Sequence, residues 1–268
     1  MSSAAELVAR RELLWNLTLR EMRGRYKRSV LGWAWSMLNP LAMMGIYYYV
    51  FGKILNNKQV GNPSGLDAYA LFLLCGLLPW GFFAVSVSVS MSSVVANGGL
   101  VKKVAFPREH LVVSTVLAGL VTLGIELGVL SVVLLIKGNM VLPWLPVVVV
   151  TVALLSMFVT GLGLALAAGN VYFRDLTYLW TIVVQAWFFL TPLVYPASLA
   201  EGKMPAWAYR IYSDLPLAVA VRMVRNELYD LRMPRLLDFV LLAGYGVVAL
   251  VVGWWIFNRL EGRFAEEL

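Results

Sequence analysis

Long uncharged stretches separated by short polar segments are the main pattern of this chain. A transmembrane helix needs about 20 mostly apolar residues to cross the hydrocarbon core of a bilayer. Six stretches reach this length, the third with one carboxylate inside it: 29–52, 68–101, 111–136, 140–173, 176–199 and 239–258. The pattern predicts an all-α integral membrane protein with six transmembrane helices. The second stretch exceeds one span, so we expect it to extend past the bilayer or to break at 76–79.

The segments outside these stretches complete a single membrane domain, 1–268. Residues 1–28 mix leucines with seven Lys and Arg, which predicts an amphipathic helix on the membrane surface. A simple basic topology anchor is the other interpretation. Neither includes a cleaved signal peptide, because no continuous apolar core is present. The six-span region is 29–258, and 259–268 is predicted to be a cytoplasmic tail.

Charge supports this topology. Only 14% of residues are charged and 60% are hydrophobic, whereas soluble domains carry about 25% charged residues. With both termini in the cytoplasm, the inner segments hold 7, 3, 1 and 2 Lys or Arg, which makes 13 of 22. Six of the remaining nine lie in 200–235, and long loops follow the positive-inside rule less strictly. The net charge of +7 is therefore assigned to helix flanks and not to a nucleic-acid partner.

One short basic segment lies between the second and third stretches. Residues 97–110 read NGGLVKKVAFPREH and carry Lys102, Lys103 and Arg108. A segment this short and basic is predicted to be a cytoplasmic loop, or a loop holding one short helix.

The segment 200–235 is predicted to contain two short amphipathic helices on the outer face. Pro205 and Pro216 stand where helices start, and apolar residues follow each at helical spacing. The two helices could cap a pathway or lie on the surface with no gating role, and both interpretations stay open.

The chain offers little for catalysis. Cys75 is the single cysteine and His110 the single histidine, and no His, Asp or Glu cluster has metal-ligand spacing. No Walker-type glycine loop is present either. Glu126 lies inside the third stretch, where a carboxylate marks a functional site or, as we favour, a helix contact with hydroxyl partners. We therefore predict that the chain is not an enzyme and has no metal or cofactor of its own, and that any energy from ATP hydrolysis is supplied by another chain.

Several motifs stand in order along nearly the whole chain. They are RE at 20–21, RYKRSVLG at 25–32 with Trp35, Asn39 and Pro40, GLLPW at 76–80, Asn97 with LVKKVAFPRE at 100–109, NVYFRD at 170–175, WFFLTP at 187–192 and YP at 195–196. In this order and spacing they resemble the membrane subunit of the ABC-2 type exporters of lipid-linked polysaccharides, which move O-antigens, teichoic acids, capsular chains or galactans. Two positions depart from the family pattern: Glu21 stands where Asp is common, and Leu215 stands where Asn often precedes Pro216.

The resemblance implies a homodimer in the bacterial plasma (inner) membrane, bound to two copies of a cytoplasmic ATPase that holds ATP and Mg²⁺. It also implies that the link between spans two and three forms a coupling helix seated in the ATPase. Lys102, Lys103 and Arg108 would then pair with acidic residues, and Phe106 would fill an apolar pocket. The alternative for the lysines is topology determination alone. The implied coupling residues are Asn97, Leu100, Lys102, Lys103, Phe106, Pro107, Arg108 and Glu109.

The resemblance further implies a channel between the two copies, lined by the first and fifth spans. Aromatic rings suit this role because the apolar faces of sugar rings pack on them. Interfacial belts and helix packing are the alternative explanation for such rings. The candidate pathway residues are Tyr47, Tyr48, Trp187, Phe188, Phe189 and Tyr195.

Two other functions stay open on the sequence. One is an ABC-2 exporter of small lipids or drugs. The other is a membrane-embedded glycosyl- or acyltransferase, in which Glu126 would be the acid or base.

Overall fold

α-Helices form the structure, a computed structural model that describes residues 11–26, 38, 41–43, 45–46, 48–50, 68–103, 106–194 and 202–268. Short 3₁₀ turns precede α5 (Leu142–Trp144) and follow α9 (Glu261–Arg263). No strand occurs among the described residues, in agreement with the predicted all-α class. The helices are α1 (Arg11–Tyr26), α2 (Tyr69–Ala96), α3 (Gly98–Lys103), α4 (Glu109–Ile136), α5 (Leu145–Tyr172), α6 (Leu176–Leu190), α7 (Ala206–Ser213), α8 (Pro216–Leu228), α9 (Leu236–Leu260) and α10 (Phe264–Glu267).

Four helices are long and apolar enough to cross a membrane: α2, α4, α5 with its leading turn, and α9. They coincide with the predicted second, third, fourth and sixth spans. At 1.5 Å per residue, the 28 residues of α2 or α4 extend about 42 Å, more than the hydrocarbon core of about 30 Å. Helix α2 continues through Pro79, so the long second stretch extends beyond one span and does not break.

The fifth predicted span is different. Helix α6 has 15 residues and extends only about 22 Å, and the chain becomes extended at Thr191. Most of the first predicted span lies outside the described residues; within it, 41–43 and 45–46 are helical and 48–50 form a π-helical turn. The count of six spans therefore stays a prediction.

Helices α5 and α9 approach each other closely. A Cβ on Gly253 would lie 1.9 Å from the Gly161 carbonyl oxygen, and a Cβ on Gly161 would lie 2.2 Å from the Ala249 carbonyl carbon. Small residues permit this backbone approach, which is a common basis for helix association in membranes. One apolar core fills most of the bundle.

The bundle has two distinct ends. At one end, called the α3 end here, a second apolar cluster joins α1, α3, α5, α9 and α10 through Leu17, Val101, Ala167, Phe257 and Phe264. At the opposite end, called the α8 end, α8 packs against α2, α5 and α9.

The two short helices in the 200–235 segment differ in burial. Pro205 precedes α7, which has no buried residue, and Trp207 on it is 69% exposed. Helix α8 begins at Pro216, and 11 of its 13 residues are buried. Only α7 therefore lies on the surface of the chain, whereas α8 is part of the bundle.

Candidate functional site

The candidate coupling site consists of helix α3 and the residues on either side of it. Asn97 ends α2 and connects it to α3: its side-chain nitrogen donates to the Ser93 carbonyl (2.8 Å), and its side-chain oxygen accepts a hydrogen bond from Arg20 of α1 (2.6 Å). These bonds tie the surface helix α1 to the start of α3. The candidate Leu100 follows on α3 and is half-buried.

The side chains of α3 separate by polarity. Val101 is buried in the second apolar cluster, whereas Lys102 and Lys103 are exposed. Neither lysine makes an ion pair within the described part of the chain. The helix is thus anchored on one side and presents two free positive charges on the other, which is the arrangement a docking element for an acidic partner needs.

The residues after α3 turn back to the protein. Phe106 is half-buried against the second apolar cluster, and Pro107 beside it is also half-buried. Arg108 donates a hydrogen bond to the Glu261 carbonyl and lies over the Phe264 ring, 5.8 Å from its centre. Glu109 is fully buried. In this structure, therefore, Arg108 binds the chain's own tail, and the two lysines supply the outward charge.

The tail, 259–268, also packs at this site, which the sequence did not predict. Phe264 is fully buried and packs edge-to-face on Phe257, with ring centres 5.3 Å apart. The Tyr172 hydroxyl donates to the Leu260 carbonyl (2.9 Å), and the Leu268 side chain lies beside Gly98 of α3. The only signal in the sequence was one phenylalanine within a charged segment.

The aromatic candidates on α6 occupy two kinds of position. Trp187 packs edge-to-face on Phe83 of α2 (5.2 Å between ring centres), and Phe188 packs on Trp80 (5.5 Å). Phe189 is 71% exposed. Two of the three rings thus hold α6 to the bundle, and the third faces away from it.

The remaining pathway candidates lie on the first predicted span or after α6. Tyr48 is exposed, and Tyr47 and Tyr195 lie outside the described residues. An apolar face of α6 is exposed beside Phe189, formed by Tyr178, Leu179, Ile182 and Val183. The described residues of one chain leave this face uncovered, as they do an apolar face of α9 that includes Val248, Val251 and Trp255.

Two features bear on the alternative of an enzyme: metal-ligating groups and the carboxylate inside α4. The described residues contain no group of three or more His, Cys, Asp or Glu that could hold a metal ion. Glu126 is half-buried in the middle of α4. The hydroxyl partners expected for its carboxylate are not found among the described residues.

Comparison with known proteins decides the family. The profile of the ABC-2 type transporter family matches residues 12–229, from α1 to the end of α8. The chain belongs to the ABC-2 type transporter family. The match includes α3 and α6, so both candidate sites lie within the part of this ABC-2 transporter that defines the family.

Relatives of this ABC-2 transporter match more than nine tenths of the chain. It is 32% identical to the O-antigen export system permease protein RfbA of Klebsiella pneumoniae, over 96% of this chain and 95% of that protein. It is 30% identical to RfbA of Myxococcus xanthus, over 98% of each chain. The polysialic acid transport protein KpsM of Escherichia coli is 23% identical, over 91% of this chain and 92% of its own length. The similarity therefore extends over more of the chain than the family profile does.

Proposed function

We propose that this ABC-2 permease is the membrane subunit of an ATP-driven exporter of a lipid-linked polysaccharide. Two copies form the channel in the bacterial inner membrane, and two copies of a separate cytoplasmic ATPase drive it. The names of the relatives support the substrate class, since O-antigen and polysialic acid are both polysaccharides. Their near-complete coverage of this chain supports a shared mode of action.

The observation that carries the coupling role is the pair of exposed lysines on an anchored short helix. Lys102 and Lys103 are available to acidic residues of an ATPase, while Val101 and Asn97 fix α3 to the bundle and to α1. A displacement of α3 would therefore move the ends of several spans together, as a rigid body. The exposed lysines provide electrostatic complementarity, which mainly sets specificity and the rate of association.

The distribution of cations supports a cytoplasmic position for the α3 end. This end carries Lys102 and Lys103 in a short loop, where the positive-inside rule is strongest. At the α8 end, Arg222 is paired with Asp238 (2.6 Å), and Arg225 is buried. Two of the arginines that weakened the rule in the sequence are therefore internal structural residues and not free charges in an outer loop.

The substrate pathway is proposed along the exposed face of α6. Phe189 and Tyr48 are exposed aromatic residues of the fifth and first predicted spans. Their rings provide apolar surface for the faces of sugars while the hydroxyls stay hydrated. Trp187 and Phe188 act differently in this proposal, because their rings hold α6 against α2.

Charge reversal tests the coupling role. Lys102→Glu combined with Lys103→Glu changes the charge of α3 by four units and leaves Val101 in place. We expect both the ATPase that co-purifies with the permease and the polysaccharide at the cell surface to fall. The matched control is Lys137→Glu with Lys203→Glu, which makes the same charge change on two exposed lysines at the α8 end. If co-purification and export both stay at the wild-type level in the α3 variant, the coupling role is wrong.

A further inference from the structure

Arg225 is a buried cation in the last turn of α8, and backbone carbonyls surround it. It is only 6% exposed. Its guanidinium donates to the carbonyls of Pro192 (2.6 Å), Leu193 and Phe72 (3.4 Å), and it lies 3.8 Å from the centre of the Phe72 ring. Among the described residues it forms no ion pair with a carboxylate. Carbonyl oxygens and one aromatic ring therefore make the direct contacts to this charge, and the Asp230 carboxylate acts on it from beyond ion-pair distance.

The carbonyls of Pro192 and Leu193 need such a donor because α6 has ended. The helix stops at Leu190, and Thr191 and Leu193 are buried. Since α6 extends about 22 Å, it is too short to cross the hydrocarbon core of about 30 Å, and we infer from this that the break lies within the depth of the membrane. Irregular backbone is tolerated there only when its polar groups are satisfied. The guanidinium has five donors in a planar fork and bonds to two successive carbonyls.

Gly76 of α2 provides the space for this arrangement. A Cβ at Gly76 would lie 2.7 Å from a terminal nitrogen of Arg225 and 3.2 Å from its central carbon. Three elements thus meet at one side chain: α2, α8 and the segment after α6. Gly81 lies on the same helix, and a Cβ there would meet no atom within 4 Å.

Other polar contacts attach α8 to the rest of the bundle. Glu227 bonds to Thr151 of α5 (2.5 Å), and Arg222 bonds to Asp238 of α9 (2.6 Å). The Asn139 side chain donates to the Leu228 carbonyl at the end of α8 (2.8 Å). Because α8 has these separate attachments and a buried apolar surface, Arg225 is not needed to hold α8. Its distinct contribution is to the segment that ends α6.

We propose that Arg225 is a positioning residue for export: it fixes the end of α6 against α8 and so sets the position of the exposed aromatic face of α6. The inference rests on the proposed function in taking that face as part of the substrate pathway. Loss of Arg225 releases the end of α6 at the α8 end of the molecule. The ATPase site on α3, at the opposite end, stays intact.

Hydrogen exchange in the purified permease tests the positioning directly, without a substrate. In Arg225→Met, we expect the amides of Thr191, Leu193 and Val194 to exchange about tenfold faster or more, because buried hydrogen bonds to a charged group are lost and this segment opens more often. The amides of α8 keep their wild-type protection. Arg225→Lys keeps the charge but has no planar fork, so it does not restore protection of 191–194. Equal loss of protection in α8, or full protection in Arg225→Lys, overturns the proposal.

Gly76→Ala displaces the guanidinium while keeping the arginine. It tests the positioning role if Arg225→Met does not fold or does not bind the ATPase. In Gly76→Ala we expect faster hydrogen exchange at Thr191, Leu193 and Val194. Export should fall about tenfold while ATPase co-purification stays normal. Gly81→Ala should resemble the wild type in each measurement. The fold-change follows from losing about one charge-assisted hydrogen bond. If Gly76→Ala and Gly81→Ala behave alike, the positioning role is overturned. Failure of the proposed function is a separate result, seen as a wild-type complex that exports no polysaccharide.

Discussion

The contact between α5 and α9 leaves no room for one added methyl group at Gly253. In Gly253→Ala the new Cβ would lie 1.9 Å from the Gly161 carbonyl oxygen, 2.7 Å from its carbonyl carbon and 3.0 Å from its Cα. Weak C–H···O contacts between helices have carbon–oxygen distances of about 3.3 Å. The two helices must therefore separate by about 1.4 Å at this point, and neither backbone has a rotamer by which to yield.

Overpacking of a well-packed interior typically costs 1–3 kcal/mol. Because backbone faces backbone here, we expect Gly253→Ala to lower the free energy of unfolding by about 3 kcal/mol, at the top of that range. The control is Gly244→Ala on the same helix, where a Cβ meets nothing within 4 Å. Without such a contact, replacing a helical glycine by alanine usually stabilises by about 0.5–1 kcal/mol, so Gly244→Ala should lose no stability.

Equilibrium unfolding of the purified permease in mixed micelles with increasing dodecyl sulfate gives both free energies. Its 10 tryptophans provide the fluorescence signal. If the free energy of unfolding of Gly253→Ala is no lower than that of Gly244→Ala, the close approach of α5 and α9 is refuted.

Three further substitutions test the sites. Phe264→Ala removes a buried ring, so it should lower the free energy of unfolding by about 3–5 kcal/mol and expose the tail to protease. The control Phe173→Ala, at a ring that is 72% exposed, should be neutral. Equal protease resistance in the two variants would contradict the tail contact. Glu126→Gln should leave export unchanged, and complete loss of activity in the permease alone would favour a transferase. Phe189→Ala should lower export without lowering thermal stability; unchanged export would remove Phe189 from the pathway.

The spans of α2, α4, α5 and α9 could be predicted because bilayer thickness alone sets their apolar length. The same reasoning could not predict where α6 ends. Its apolar run continues to 199, but the helix stops at Leu190, and the donors that satisfy the carbonyls after it belong to Arg225, 33 residues from Pro192. In the sequence, Arg225 was indistinguishable from the cations of an outer loop.

The basic α3 segment could be located from its pattern, but the direction of each side chain could not. Arg108 turns towards Glu261 and Phe264, whose positions depend on how α9 and the tail pack. Trp187 and Phe189 are equally aromatic and two residues apart, yet only Trp187 contacts Phe83. Tertiary packing gives these residues different environments, and the pattern of hydrophobic residues in the sequence does not predict that packing.

Transport in proteoliposomes tests the proposed function most directly. The purified permease is reconstituted with the ATPase encoded beside it, and a lipid-linked polysaccharide is supplied on the ATPase side. We predict that ATP makes the polysaccharide accessible to a glycosidase trapped on the opposite side, and that Lys102→Glu with Lys103→Glu abolishes this signal. ATP-driven movement of a drug or a short lipid, with no movement of the polysaccharide, would contradict the proposed substrate class.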